Sequence, residues 1–202
     1  MVEASEFKPG FTLATGPNVR IRVPLSADVA LINRWMSDAE VWGWISTYPE
    51  PLLVESAEQL GDVVAVIEGH RIHGVIGYCL MRAEEPWNKT GMLDVVIGDS
   101  VNRGLALGIE AATLFMAILF RSHRLHSMEA RVVDDNRKCL SAIRKYGFTE
   151  EGLLRDRFVK NGRFRGVHVF SLLAEEFEQL RVARRTLRNS KFAVEALTGK
   201  GE

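Results

Sequence analysis

Gly98-Asp99-Ser100-Val101-Asn102-Arg103-Gly104-Leu105-Ala106-Leu107-Gly108-Ile109-Glu110 joins the end of an apolar run, a turn of small and polar residues, and the start of a long apolar segment. That is the order strand end, turn, helix start. The first N–H groups of a helix lack intrahelical partners and sit at the positive end of its dipole, so a turn without bulky side chains can cradle a diphosphate there. Arg103 would add charge. The spacing matches neither Gly-x-x-x-x-Gly-Lys-Ser/Thr nor Gly-x-Gly-x-x-Gly, which disfavours ATP and NAD. Taken alone, glycines at a helix start also serve capping and close packing. The histidines offer less: His70 and His73 flank a turn and His123 and His126 straddle a helix end, and neither pair has a third ligand at useful spacing. No metal site is expected.

The elements that would position this turn are read from periodicity. After a loose, Gly/Pro-punctuated lead-in to Pro17, Val19, Ile21 and Val23 alternate with Arg20 and Arg22, the period of a half-buried strand. Ser26 can cap a helix over about Asp28 to Met36, and the aromatic segment Trp42 to Pro49 reads as a covering loop. Asp62 to Glu68 and Ile72 to Met81 form two strands joined through Glu68-Gly69-His70-Arg71, and Met92 to Gly98 forms a third. Leu105 to Arg121 is a long helix, His126 to Val133 a strand, and Asn136 to Tyr146 a second long helix. Asn161-Gly162 closes a last hairpin, since both residues tolerate the positive φ of a type I′ turn. From Glu175 onward the tail reads as a charged helix with Leu180, Ala183 and Leu187 on one side.

A chain of 202 residues with 47% apolar content suits one enzyme-sized domain. The division expected is an N-terminal extension over 1–18, a catalytic domain over 19–174 and a helical tail over 175–202. Twenty-six basic residues balance twenty-six acidic ones, so no overall field draws the chain toward nucleic acid or an anionic membrane. The basic face of Arg181, Arg184, Arg185 and Arg188 reads as solvated. Ala111 to Phe120 is too short to span a bilayer, the amino terminus lacks a secretion signal, and Cys79 and Cys139 make no disulfide framework, so the cytoplasm is expected. A monomer and a homodimer both remain open.

Asn136-Arg137-Lys138-Cys139-Leu140-Ser141-Ala142-Ile143-Arg144-Lys145-Tyr146-Gly147-Phe148, taken with Arg103-Gly104-Leu105-Ala106-Leu107-Gly108, resembles the GNAT acetyltransferase superfamily. Its motif A reads Gln/Arg-x-x-Gly-x-Gly/Ala, and its motif B has an Asn, a helix, then Gly-Phe. Glu85-Pro86-Trp87-Asn88-Lys89-Thr90, the Glu150-Glu151-Gly152 run and Asn161-Gly162 look like the branch containing the ribosomal-protein N-terminal acetyltransferases. The resemblance covers about Val19 to Leu173. It implies a mixed α/β (α+β) GNAT fold: a twisted, mostly antiparallel sheet of six to seven strands flanked by helices and splayed between the strands at 92–98 and 126–133. Acetyl-CoA would lie in that split as cosubstrate. Backbone groups of Val95, Val96 and Ile97 would pair with the pantetheine arm, amides of Arg103, Gly104, Leu105, Ala106, Leu107, Gly108 and Ile109 would hold the diphosphate, and Asn136 would approach from the other side. Ala106 and Leu105 depart from the pattern, which commonly has Gly and then Lys or Gln there.

The activity implied is acetyl transfer to a primary amine, either of an amino sugar or antibiotic-like small molecule or of a protein N-terminus. An alkylamine is mostly protonated at neutral pH, so a carboxylate would help to remove its proton. The family's Glu on the strand before motif A falls at Met92; Asp94, two residues on and so on the same strand face, is the candidate base, with pairing to a neighbouring Arg as its structural alternative. Glu129 and Asp134 are weaker substitutes. A backbone N–H near Val95 or Val96 could hold the oxyanion. The family's thiolate-protonating Tyr falls at Ile143, so that role moves to Cys139, which stands where the branch often has Ser; packing is the alternative for Cys139, and Ser141 is a further candidate on the CoA side. Trp42, Trp44 and Tyr48 would line the acceptor pocket or pack in the core, while core packing accounts for Trp35. A different class of reading, a CoA-binding regulatory or scaffold domain without catalysis, follows from Met92 and Ile143.

Overall fold

The computed structural model describes residues 8–45, 53–71, 74–104 and 106–193. Along the chain run β1 (Thr12–Thr15), β2 (Val19–Arg22), α1 (Asp28–Met36), α2 (Ala39–Ile45), β3 (Val63–Gly69), β4 (Val75–Glu85), β5 (Thr90–Ile97), α3 (Leu107–Arg121), β6 (Ser127–Val133), α4 (Arg137–Tyr146), β7 (Thr149–Lys160), β8 (Arg163–Leu173), α5 (Ala174–Gln179), α6 (Arg181–Arg188) and β9 (Lys191–Phe192). The nine strands form one sheet in the order β7-β8-β6-β5-β4-β3-β2-β1-β9. Every neighbouring pair is antiparallel except β5 and β6, which are parallel. This is the mixed, helix-flanked sheet expected, with two strands more than the upper end of the six to seven anticipated. The additional ones are β1, whose Leu13 and Ala14 are buried, and β9, which pairs with β1.

Both faces of the sheet centre are covered, which is why β3 reads as a continuous apolar run rather than an alternating one. Val63, Ala65 and Ile67 pack in the cluster built on α3, whereas Val64 and Val66 pack with Ile32, Trp35, Met36 and Trp42 of α1 and α2. In α3, the run from Leu114 to Phe120 is wholly buried. α4 lies on the same side of the sheet, where the Thr113 and Tyr146 hydroxyls meet at 2.9 Å. Asn161 and Gly162 have φ of 51° and 70° and close the β7–β8 hairpin.

Several local expectations change. Arg22 is not a solvated strand residue: only 6% exposed, it pairs with Asp28 at 2.7 Å and with Glu68 at 2.7 Å. Ser26 does not cap α1; the boundary residue is Ala27, with no side-chain cap, and the Asp28 carboxylate accepts the Leu25 N–H at 2.6 Å from inside the helix. Trp42 and Trp44 lie on a helix rather than a loop, because α1 and α2 need only a short turn and Val41 and Trp42 bury against α1. The remainder of that segment, including Tyr48, lies outside the described residues. The tail is two helices, since Leu180 adopts an extended ψ of 127° between them.

Candidate active site

β5 and β6 are paired only at Thr90↔Ser127, Gly91↔Met128 and Met92↔Glu129. Beyond that point β5 stays in register with β4 as far as Ile97↔Gly77, and β6 stays in register with β8 as far as Val133↔Val167. The strands therefore part, and the β6-facing backbone edge of Leu93 to Ile97 has no strand partner. Unpaired backbone groups inside a sheet call for water or an extended ligand. Two glycines set the path of β5 here. A Cβ at Gly77 would fall 2.1 Å from the Val96 carbonyl oxygen, and one at Gly98 would fall 2.0 Å from the Trp35 ring. β5 is thus held tight against β4 and its end is clamped by Trp35.

The turn after β5 leads to the amino end of α3. Asp99 caps its first part, accepting Val101 N–H at 3.0 Å and the Asn102 amide at 2.9 Å. Gly104 has φ of 83° with nothing within 4 Å of where a Cβ would stand, so the backbone there faces open space. Ala106 is the residue before α3, has φ of 59° and ψ of 5°, and provides no side-chain cap. That left-handed conformation is the physical reason the related motif favours glycine at this position. Leu107, Gly108 and Ile109 follow as the first turn, with both larger side chains packed on the core, so they offer backbone amides outward. Glu110, whose charge would oppose an anion, is turned away and accepts Asn18 N–H at 2.8 Å and Val19 N–H at 3.0 Å. Leu105 lies outside the described residues.

Arg103 does not lend its charge to this turn. Its guanidinium donates to the Ile97 carbonyl at 3.1 Å, the Gly98 carbonyl at 2.9 Å and Glu40 at 2.9 Å, with Asp38 at 3.5 Å. Four oxygen partners hold it on the end of β5 and on the start of α2, so only its main chain remains for a diphosphate.

Asp94 and Cys139 approach the gap from its two lips. Asp94 lies on β5, on the face shared with Met92 and Val96, and Arg82 of β4 donates to it at 2.5 Å. Cys139 lies in the first turn of α4, where its N–H donates to the Asn136 side-chain oxygen at 3.2 Å. The thiol retains solvent access, yet the protein packed around it pushes its pKa up, and the Asp94 carboxylate pushes it further. Among the described residues the Asn136 amide nitrogen has no protein partner, so it is available to a ligand. Ser141 is exposed but two residues from Cys139, about 200° around the helix, so the two do not converge. Ile143 packs against the core.

Sequence reasoning missed Arg82, which falls opposite Met92 and diagonal to Asp94 only once the β4–β5 register is known. It also missed the ion pair of Glu129 with Arg131 at 2.6 Å on the β6 lip. Alternation along each strand could have placed these side chains on the Asp94 face, but not beside one another. Asp134 accepts the Gly166 N–H at 2.9 Å and so serves the β6–β8 connection.

α2 spans the gap on that face. Glu40 ties its start to Arg103 and hence to the end of β5, and Trp42 packs with Trp35 and Val96, the core alternative of its two readings. Trp44 crosses to the other lip, where it packs on Val133, Phe158 and Val167. The described residues contain no group of three or more His, Cys, Asp or Glu able to hold a metal ion.

The sequence model of the Acetyltransferase (GNAT) domain matches residues 18–149. An uncharacterized N-acetyltransferase p20 from Bacillus licheniformis is 25% identical over 164 residues, 74% of this chain and 89% of that protein. Among solved structures, spermidine N-acetyltransferase from Vibrio cholerae in complex with CoA and spermine superposes with a TM-score of 0.71 at 18% identity, covering 79% of this chain and 98% of that one. The GNAT-family acetyltransferase from Bacillus anthracis gives a TM-score of 0.68 at 16% identity, covering 82% and 100%. These structural likenesses are likenesses of fold.

Proposed function

The chain belongs to the GNAT acetyltransferase family, with acetyl-CoA as its cosubstrate, and on that premise we propose that it acetylates a primary amine by direct attack on the thioester, using Asp94 and Cys139. The acceptor is a small molecule such as an amino sugar or antibiotic-like amine, or a protein N-terminus. The observation that carries this reading is the parting of β5 from β6 after Met92 and Glu129, with Asp94 and Cys139 at its two lips.

In this mechanism the free edge of Val95, Val96 and Ile97 takes the pantetheine arm as a strand takes a neighbour, and main-chain amides between Arg103 and Ile109 take the diphosphate. Asn136 supplies its amide from the opposite side, and Ser141 flanks the CoA side of α4. A backbone N–H near Val95 or Val96 holds the oxyanion as the amine nitrogen bonds to the acetyl carbon. Asp94 accepts the amine proton, directly or through water. As the carbon–sulfur bond breaks, Cys139 gives its proton to the departing thiolate and later regains one from solvent. Its raised pKa suits that role, because the thiol is still protonated at neutral pH.

The Trp42 and Trp44 helix, with Tyr48 beyond the described residues, covers the acceptor side. The Glu85 to Thr90 segment, the Glu150-Glu151-Gly152 run and the Asn161-Gly162 hairpin support placement in the branch of the ribosomal-protein N-terminal acetyltransferases. No helix among the described residues is long and apolar enough to cross a membrane. The enzyme so proposed works in the cytoplasm as a monomer or homodimer, and its reaction calls on no metal or nucleic acid.

One observation favours the second reading, a CoA-binding domain without catalysis: Arg82 already engages the Asp94 carboxylate. CoA-thiol release with a panel of amines, spermidine and N-terminal peptides included, decides between them. The proposal expects turnover that falls about 10²- to 10⁴-fold in Asp94→Asn with CoA affinity retained. CoA binding with no amine-stimulated turnover would sink it.

A further inference from the structure

The Lys160 ammonium lies over the face of the Trp44 indole. A tryptophan face is the strongest of the aromatic cation binders, and its attraction for an ammonium grows where water is displaced. The edges of this site are apolar, being Val133, Phe158 and Val167 beneath Trp44. Among the described residues no carboxylate forms an ion pair with Lys160: Asp135, which attracts it from a distance, pairs instead with Arg165 at 2.6 Å, and Arg165 repels the lysine. Burial lowers the Lys160 pKa, so the ammonium gives up hydration to remain at the ring. Lys160 is also the last residue of β7, next to the Asn161-Gly162 turn, where a side chain can swing outward without disturbing the ladder.

α2 bridges the two lips of the gap on the face that carries Asp94, so the Trp44 ring stands at the acceptor side, with the end of β6 beneath it. We propose that the Trp44 face is an ammonium subsite of the acceptor cleft, filled by Lys160 in the free protein and vacated when an acceptor bearing a second cationic group displaces it. Lys160 then acts as an internal competitor that discriminates against monoamines: an acceptor with one amine cannot present it to Asp94 and also replace Lys160 on the ring. The acceptor class that fits is a diamine or longer polyamine, one nitrogen neutralised for attack and another held as an ammonium. This rests on the acetyl-transfer reading for the roles of the two nitrogens.

The test uses tetramethylammonium, which cannot be acetylated, in a proton NMR titration of the full chain, alongside steady-state kinetics with putrescine and butylamine. Lys160→Met is expected to tighten tetramethylammonium binding about threefold to tenfold and to lower KM for putrescine by a similar factor with kcat unchanged, while KM for butylamine stays within twofold. Lys160→Arg retains a cation and should behave as the parent. Trp44→Leu should abolish tetramethylammonium binding while CoA affinity, measured as the folding control, is kept. Unchanged or weaker binding in Lys160→Met, or binding that survives Trp44→Leu, overturns the proposal. The NMR titration needs no turnover, so if no amine is acetylated but binding still follows Trp44 and Lys160, the acetyl-transfer reading fails and the subsite stands.

Discussion

Replacing Ala106 by glycine should stabilise the protein and open its diphosphate turn at once. Ala106 sits at φ 59° and ψ 5°, a left-handed conformation that costs a residue with a Cβ about 1–2 kcal/mol. Glycine removes that strain but brings extra freedom to the unfolded chain, worth about 0.4–1 kcal/mol in the opposite direction. Ala106 is exposed, so its methyl group contributes little burial to be lost. The difference is a net stabilisation of about 0.5–1 kcal/mol, which for a domain of this size is a rise in Tm of roughly 1–4 °C. Differential scanning calorimetry of Ala106→Gly measures it. Calorimetric titration of the same variant with CoA should give a Kd equal to or below that of the parent, since nothing is removed but a methyl group beside the amides. Ala106→Val is the reciprocal control: a β-branched residue tolerates left-handed φ poorly, and Tm should fall. A Tm for Ala106→Gly at or below the parent value would refute the reasoning, because it would mean the turn is not held left-handed at residue 106.

Other consequences are equally direct. Gly98→Ala places a Cβ 2.0 Å from the Trp35 ring, so urea unfolding should show a loss of about 1–3 kcal/mol, and an unchanged midpoint would mean that Trp35 does not clamp β5. Burial holds His123 neutral, with a pKa pushed down to about 4 against about 6.5 in the unfolded chain. The unfolded state therefore binds the extra proton first, and stability should fall as pH drops from about 6.5 toward 4. His123→Gln should flatten that limb in denaturant titrations, and an identical pH profile would remove His123 as its cause. Cys139 must be protonated to act as an acid, so kcat should decline on the alkaline side as the thiol ionises above the ordinary cysteine value of about 8.5. Cys139→Ser should move that limb to higher pH, and a limb that stays in place would assign it to another group.

What was legible in the sequence was local. The helix expected over Asn136 to Tyr146 and the Asn161-Gly162 turn depend on a few adjacent residues and appear as read, and the structure adds that the Asn136 side chain caps α4 and that Gly147, with φ of 118°, ends it. The strand–turn–helix order from Thr90 to Arg121 does so for the same reason. The rest depends on partners distant along the chain. β1 and β9 are too short to show a period: β1 is fixed by its hairpin with β2, and β9 is a strand only through pairing with β1 from the far end of the chain. Arg22 alternates like a solvated residue, and only the arrival of Asp28 and Glu68 makes its burial tolerable. Arg103 stands where charge would favour a diphosphate, but two backbone carbonyls and two carboxylates claim it once α2 folds over the end of β5. For the same reason Arg82 beside Asp94, and Lys160 over Trp44, follow from register and topology rather than from spacing.

Hydrogen–deuterium exchange with and without saturating CoA tests most directly the claim that the cosubstrate fills the gap between β5 and β6. Protection is expected in peptides spanning Leu93 to Ile97 and Gly104 to Ile109, with β1 to β3 unchanged. Saturation with CoA that leaves both segments exchanging as in the free protein would contradict it.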